Sequence, residues 1–110
     1  MTDDEARQEF DRVVNLTPRE LERWLETEES KGVGWDPDGD GESQGHEMGR
    51  HIVEIRRKRR AELGEEDVAR MRKVVGYVHR HLAQGGPRED REHSKWRYSL
   101  MNWGHDPLKD

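Results

Sequence analysis

The stretch EEDVARMRKVVGYVHRHLAQ, Glu65–Gln84, sets Val68, Met71, Val75, Val78 and Leu82 at successive spacings of 3, 4, 3 and 4. Apolar residues at these intervals return to one side of a helix, whereas a strand face needs alternation. Glu65, Glu66 and Asp67 suit the positive end of that helix dipole, and Gly85-Gly86-Pro87 stops the helix. It is the longest regular stripe in the chain. A long apolar side must be covered by other elements, and no segment offers the sustained alternation of a strand. The covering elements are therefore helices.

Outward from this stretch, each flanking segment reads as helix. From about His46, Met48, Ile52 and Ile55 share a stripe with Val53 beside them, and the helix ends in the run Arg56-Arg57-Lys58-Arg59-Arg60. Upstream, Thr17 can cap, Pro18 suits the first helical position and Glu20 completes a capping box. Leu16 and Leu21 form a hydrophobic staple, Trp24 and Leu25 continue the stripe, and the helix is expected to run from Pro18 to about Glu29. A second capping box, Thr2 with Glu5, opens a first helix that ends by Asn15 and aligns Ala6, Phe10, Val13 and Val14. Near the other end, Trp96, Leu100 and Trp103 share one face of a short helix. The expectation is one all-α domain over residues 1–110, a bundle of four to five helices. A mobile acidic Gly/Asp-rich loop at about 31–45 separates helices 2 and 3, and a polar linker occupies about 85–94.

Composition narrows the function. No cysteine excludes disulfides, thiol catalysis and Cys-based zinc sites. No long apolar stretch and no signal-like segment appear, so membrane spanning and export are not expected and a cytoplasmic protein is. Leu, Ile, Val and Phe make only 18 of the 110 residues, which implies a thin core that a partner or second copy would complete. Four Trp, four Met and two Tyr, with nearly cancelling charges, argue for a folded chain. Residues 1–47 hold 15 acidic and 5 basic side chains, residues 48–110 hold 10 and 15, so the molecule is electrically polarised.

The basic half supplies the first candidate site. Arg50, Arg56, Arg57, Lys58, Arg59 and Arg60 carry groups suited to phosphate oxygens. On the long helix, Arg70, Lys73 and Arg80 flank Tyr77 opposite the apolar stripe, a surface able to follow a nucleic-acid backbone. A plainer role for the same cations is to stabilise a helix C-terminus or to be held by the acidic half, within the molecule or between copies.

A second candidate lies in the acidic loop. Asp36, Asp38 and Asp40 alternate, Gly41 follows, and Glu47 falls where an EF-hand closes its calcium shell. Gly32 and Gly34 break the helix that should enter such a loop, and Ser43 stands where an apolar residue belongs. His79 and His81 point to different faces of a helix, and Glu47 with His51 lacks a third ligand. There is no HExxH, nucleophile elbow or Gly-rich phosphate loop, so neither an enzyme nor a cofactor is expected. Trp24, Trp96 and Trp103 read as packing residues, while Trp35 in the loop is a lid or a contact residue.

Four blocks in order, VNLTPRELERWLETEES (14–30), GRHIVEIRRK (49–58), MRKVVGYVHRHLAQ (71–84) and WRYSLMNWGHDPL (96–108), resemble an uncharacterised bacterial family of small proteins. That family is classed as a domain of unknown function, and its members are often labelled DNA-binding protein. The opening LTPREL also looks like the start of small SAP-type helical DNA-binding modules. The resemblance implies DNA as partner and no catalytic residues. The expectation is a non-enzymatic, sequence-nonspecific DNA-binding or DNA-associated protein, at the nucleoid if it binds DNA, with phosphate contacts from Arg56 to Arg60 extended by Arg70, Lys73 and Arg80. The alternative is a protein-interaction module or homodimer in which the acidic half pairs with the basic helix and Trp35 anchors the contact.

Overall fold

A computed structural model describes residues 1–33 and 44–109. Among them are six α-helices, two short 3-10 turns and no strand, so the chain is all-α. The helices are α1 (Asp3–Val13), α2 (Pro18–Leu25), α3 (Glu28–Lys31), α4 (Gln44–Arg57), α5 (Glu65–Gln84) and α6 (Lys95–Asn102). Residues 34–43, the heart of the expected acidic loop, lie outside the described residues.

Local chemistry explains where the helices begin. Thr17 Oγ1 accepts from the Glu20 backbone N–H at 3.1 Å, and Glu20 Oε1 accepts from the Thr17 N–H at 2.9 Å. Thr2 and Glu5 repeat the arrangement at 3.0 and 3.1 Å. Both expected capping boxes form. The helix expected to reach Glu29 instead stops at Leu25. Thr27 is the cause: its hydroxyl donates to the Trp24 carbonyl at 2.7 Å and accepts from the Ser30 N–H at 3.1 Å. This closes one helix and caps the next, so the bundle has one more short helix than the four to five expected.

Two helix pairs build the core. α1 packs on α5, α2 packs on α4, and α6 lies against α2, α3, α4 and α5. Ala6, Phe10 and Val13 of α1 are buried, as are Val68, Met71, Val74, Val75 and Val78 of α5. Apart from the smaller Ala6, each such side chain contributes about 1.5–3 kcal/mol when fully removed from water. Leu82 breaks the expected stripe at 37% exposure, because the last turn of α5 runs past its covering helices. At the second pair, Leu21 and Leu25 meet α4, where Met48, Ile52, Val53 and Ile55 are buried. Gly49 permits the close approach: a Cβ there would sit 2.7 Å from both the Asn102 carbonyl oxygen and Leu25 Cδ2.

The segment after α6 locks the bundle. Arg97 pairs with Asp106 through Nε at 3.0 Å and Nη2 at 2.9 Å. Asp106 in turn exchanges two hydrogen bonds with Asn15, its N–H donating to Oδ1 at 2.8 Å and its carbonyl accepting from Nδ2 at 2.9 Å. Gly104, at φ 82°, turns the chain under Val14, in the left-handed region where glycine carries no Cβ penalty. The block WGHDP is thus a clasp over the α1–α2 junction.

Candidate nucleic-acid interface

The basic run divides on folding. α4 ends at Arg57, and each cation of the run takes its own direction. Arg56 Nη1 donates to the Val14 carbonyl at 3.0 Å, so this arginine braces α4 against the α1–α2 junction. Arg57 pairs with Glu22 of α2 on the surface. Lys58 reaches Asp67 in the first turn of α5 at 3.0 and 3.2 Å. Arg60 lies 3.9 Å from Asp4 of α1, an exposed and loose pair. Arg59 is exposed, and its side chain makes no ion pair or hydrogen bond to the described residues. The acidic half therefore meets the basic half inside one chain.

These pairs differ in strength. Asp67 is buried, and the Gly64 backbone N–H donating to it at 3.0 Å holds its carboxyl below the usual range against the opposing effect of burial; Lys58 assists. The Arg57–Glu22 and Arg60–Asp4 pairs are exposed, and such surface pairs contribute about 0–1 kcal/mol. A phosphate can compete for Arg57 and Arg60 far more readily than for Arg56 or Lys58. Arg50, also expected to bind phosphate, is exposed on α4 in a groove shared with Glu22, Glu26 and Glu54, a poor setting for an anion.

The long helix offers a cleaner surface. From Val68 to Gln84 the sequence contains no acidic residue. Toward α1, Arg72 donates to the Met1 carbonyl at 2.7 Å and to Asp3 at 2.5 Å, and His79 contacts Glu9 at 2.6 Å. Arg70, Lys73 and Arg80 lie on another side of α5. Lys73 and Arg80 are exposed and Arg70 is half-buried. Arg70 and Lys73 share a shallow groove with His51, Trp103 and one carboxylate, Glu47. Arg80 folds back along its own helix, its Nη1 3.0 Å from where a Cβ on Gly76 would sit.

Tyr77 does not serve this row as a stacking platform. It is half-buried, its ring stacks on Trp103 at 4.1 Å and 11°, and on His81 at 5.2 Å and 13°. Burial pushes its hydroxyl pKa up, with a hydrogen bond to Ser99 acting the other way. Trp24 and Trp96 are likewise tied, their Nε1 atoms donating to Asn102 Oδ1 at 2.7 Å and the His81 carbonyl at 3.1 Å.

Of the expected calcium ligands, Asp36, Asp38 and Asp40 lie outside the described residues, as does Trp35. Glu47 is exposed in the first turn of α4, 3.9 Å from His51 Nε2. Among the described residues no three His, Asp or Glu side chains converge as a metal site would require. No helix among them is long and apolar enough to cross a membrane.

One residue escaped the sequence reading. Arg7, on the acidic α1, comes beside Arg56, Lys58 and Arg60 at a common concavity. Its only local signal is a position next to Ala6 at the edge of the apolar stripe, and nothing local reveals a meeting with residues some fifty positions away.

The chain belongs to the family described as protein of unknown function (DUF3140), whose model matches residues 9–101, nearly the whole bundle. No curated protein and no solved structure matches it.

Proposed function

We propose that the protein is a non-enzymatic, sequence-nonspecific DNA-associated protein that resides with the nucleoid and grips the phosphate backbone through α5. The observation that carries this reading is the row Arg70, Lys73 and Arg80 on a helix with no acidic residue from Val68 to Gln84, while α1 takes up Arg72 and His79. Arg57 and Arg59, at the end of α4, add contacts once the weak pair with Glu22 opens. The braced Arg56 and Lys58 do not. Among the described residues this face offers cations without a stacking ring or a base-reading helix tip, which suits positioning on phosphates rather than sequence readout. The acidic patches elsewhere repel DNA and limit the contact to this face.

Fluorescence anisotropy with a short DNA duplex across a salt series tests the proposal, with and without calcium. Three phosphate contacts correspond to a slope of log K on log salt of about −2.7, and each contact removed makes it shallower by about 0.9. The triple change Arg70→Ala, Lys73→Ala, Arg80→Ala is expected to abolish most of the affinity while leaving the helical circular dichroism intact. No binding at low salt would overturn the reading and leave the protein-interaction alternative.

A further inference from the structure

We infer that the concavity between α1, the end of α4 and the start of α5 is a binding site for a small phosphorylated ligand with an apolar body. This inference does not rest on DNA binding, since Arg70, Lys73 and Arg80 take no part in it. The cavity holds about 370 Å³, near the lower end of small-molecule sites. Four cations line it: Arg7 from α1, Arg56 from α4, and Lys58 and Arg60 from the turn that follows. The one carboxylate in the lining is Asp11. The half-buried Leu63 is the apolar side chain that reaches the cavity, and Phe10, Ile55 and Met71 lie buried behind the lining.

The cations fall into two kinds. Arg56 and Lys58 are pinned, by the Val14 carbonyl and by Asp67, and hold positive charge at the wall without reorganisation. Arg7 and Arg60 are under-satisfied. They share the exposed carboxylate of Asp4, at 3.5 and 3.9 Å, which leaves it a weak ligand for either. Arg7 Nε is buried with no hydrogen-bond partner. Native structures seldom leave such a donor unpaired, and an acceptor that drew the guanidinium into the cavity would satisfy it.

The two loosely held guanidiniums select the ligand class. Asp67 offsets Lys58 and the exposed Asp4 only weakly offsets Arg7 and Arg60, and guanidinium forks match the oxygens of a phosphomonoester. Leu63, with the edges of Ile55 and Met71, favours a ligand whose phosphate carries a small hydrophobic body.

Isothermal titration of the full chain with inorganic phosphate and with phenyl phosphate tests this site. Phenyl phosphate is expected to bind, and several-fold more tightly than inorganic phosphate. Arg7→Gln and Arg60→Gln are each expected to weaken it at least tenfold, whereas Lys95→Gln, on α6, leaves it unchanged. Phenyl phosphate is expected to raise the Tm of the wild type but not of Arg7→Gln. Should Arg7→Gln fail to fold, Arg60→Gln carries the test, its side chain being 77% exposed. Absence of binding by both probes, or undiminished binding by both variants, would overturn the site. Equal affinity for the two probes would overturn the apolar-bodied ligand. The duplex titrations of the α5 variants are read separately, so either proposal can fail without the other.

Discussion

Lys58 Nζ lies 3.0 Å from Asp67 Oδ2, tying the middle of the basic run to the first turn of α5. The same carboxylate accepts from the Gly64 N–H, one of the orphan donors at the start of that helix. Asp67 thus closes the α4–α5 connection from both sides. Asp67→Ala should lower stability by about 1–3 kcal/mol, because it removes the acceptor of the Gly64 N–H and the partner of Lys58. Lys58→Ala should cost less, since the lysine is 40% exposed and its release leaves the Gly64 bond in place. Urea unfolding of the two variants measures the order; a larger loss for Lys58→Ala would contradict it.

Asn102 supplies the polar centre of the bundle. It is 1% exposed, its Oδ1 accepts from Trp24 Nε1 at 2.7 Å and Ser30 Oγ at 2.5 Å, and its Nδ2 donates to the Ser30 carbonyl at 3.1 Å. Asn102→Ala leaves these partners facing apolar surroundings, at a cost of about 3 kcal/mol. The emission of Trp24 should change with it. A loss below 1 kcal/mol by chemical denaturation would mean that water replaces the side chain.

How much of this was legible in advance depends on the sequence distance over which each contact acts. Thr17 and Glu20 are three residues apart, and their capping box follows from spacing alone. The stripe of α5 is equally local, which is why Val68, Met71, Val75 and Val78 are buried as expected and Leu82, past the end of its cover, is not. Thr27 sits in a run of good helix-forming residues, so its power to end one helix and cap another was outweighed by its neighbours. The fate of the basic run was beyond reach: Glu22 and Arg57 are 35 residues apart, and Asn15 and Asp106 are 91 apart. A string of cations reads as one patch until folding shows that Arg56 and Lys58 are braces and that Arg7 joins them from the acidic half.

Gly49 and Gly64 make a matched pair of tests. Alanine at a helix interior normally gains about 1 kcal/mol over glycine. At Gly49 the new Cβ would lie 2.7 Å from a backbone oxygen, which cannot move aside without shifting α6, so Gly49→Ala should destabilise by about 2 kcal/mol or more. At Gly64, the N-cap of α5, a Cβ meets nothing within 4 Å and φ is −100°, so Gly64→Ala should cost only the N-cap preference for glycine, about 0.5–1 kcal/mol. Thermal unfolding of both variants decides whether the α4–α6 approach is as close as described.

Acid should destabilise the fold in a defined window. Glu9 is held at a pKa of about 2, chiefly by its hydrogen bond with Arg12 and further by His79. Glu20 is held at about 2, chiefly by Lys109 and then by the Thr17 backbone. Both folded values lie below the ordinary 4.5, so the unfolded chain takes up protons first as pH falls. The stabilisation is complete above pH 4.5 and is lost between there and about 2. Both groups are at the surface, so the loss is gradual and salt-sensitive. Urea midpoints taken from pH 6 to pH 2 should fall across that interval, and Glu20→Gln should flatten the fall; an unaltered slope in that variant would assign the loss to other carboxylates.

His81 acts earlier in the same direction. Burial lowers its pKa from the ordinary 6.5, with a hydrogen bond to the Trp96 backbone opposing the shift. Its Nε2 is buried without a partner, so the imidazole stacked on Tyr77 is favoured neutral in the folded state. The unfolded chain therefore binds this proton more readily, and stability is lost as pH falls from above 6.5 toward the folded value. His81→Phe keeps a ring against Tyr77, removes the orphaned nitrogen and carries no proton. It should cost about 1 kcal/mol at pH 8, through the lost hydrogen bond to the Trp96 backbone, and should lack the decline expected of the wild type as pH falls below 6.5. A decline of equal size in the variant would mean that His81 is not its source; His93 cannot be, because Asp90 raises its pKa and it favours the fold on protonation.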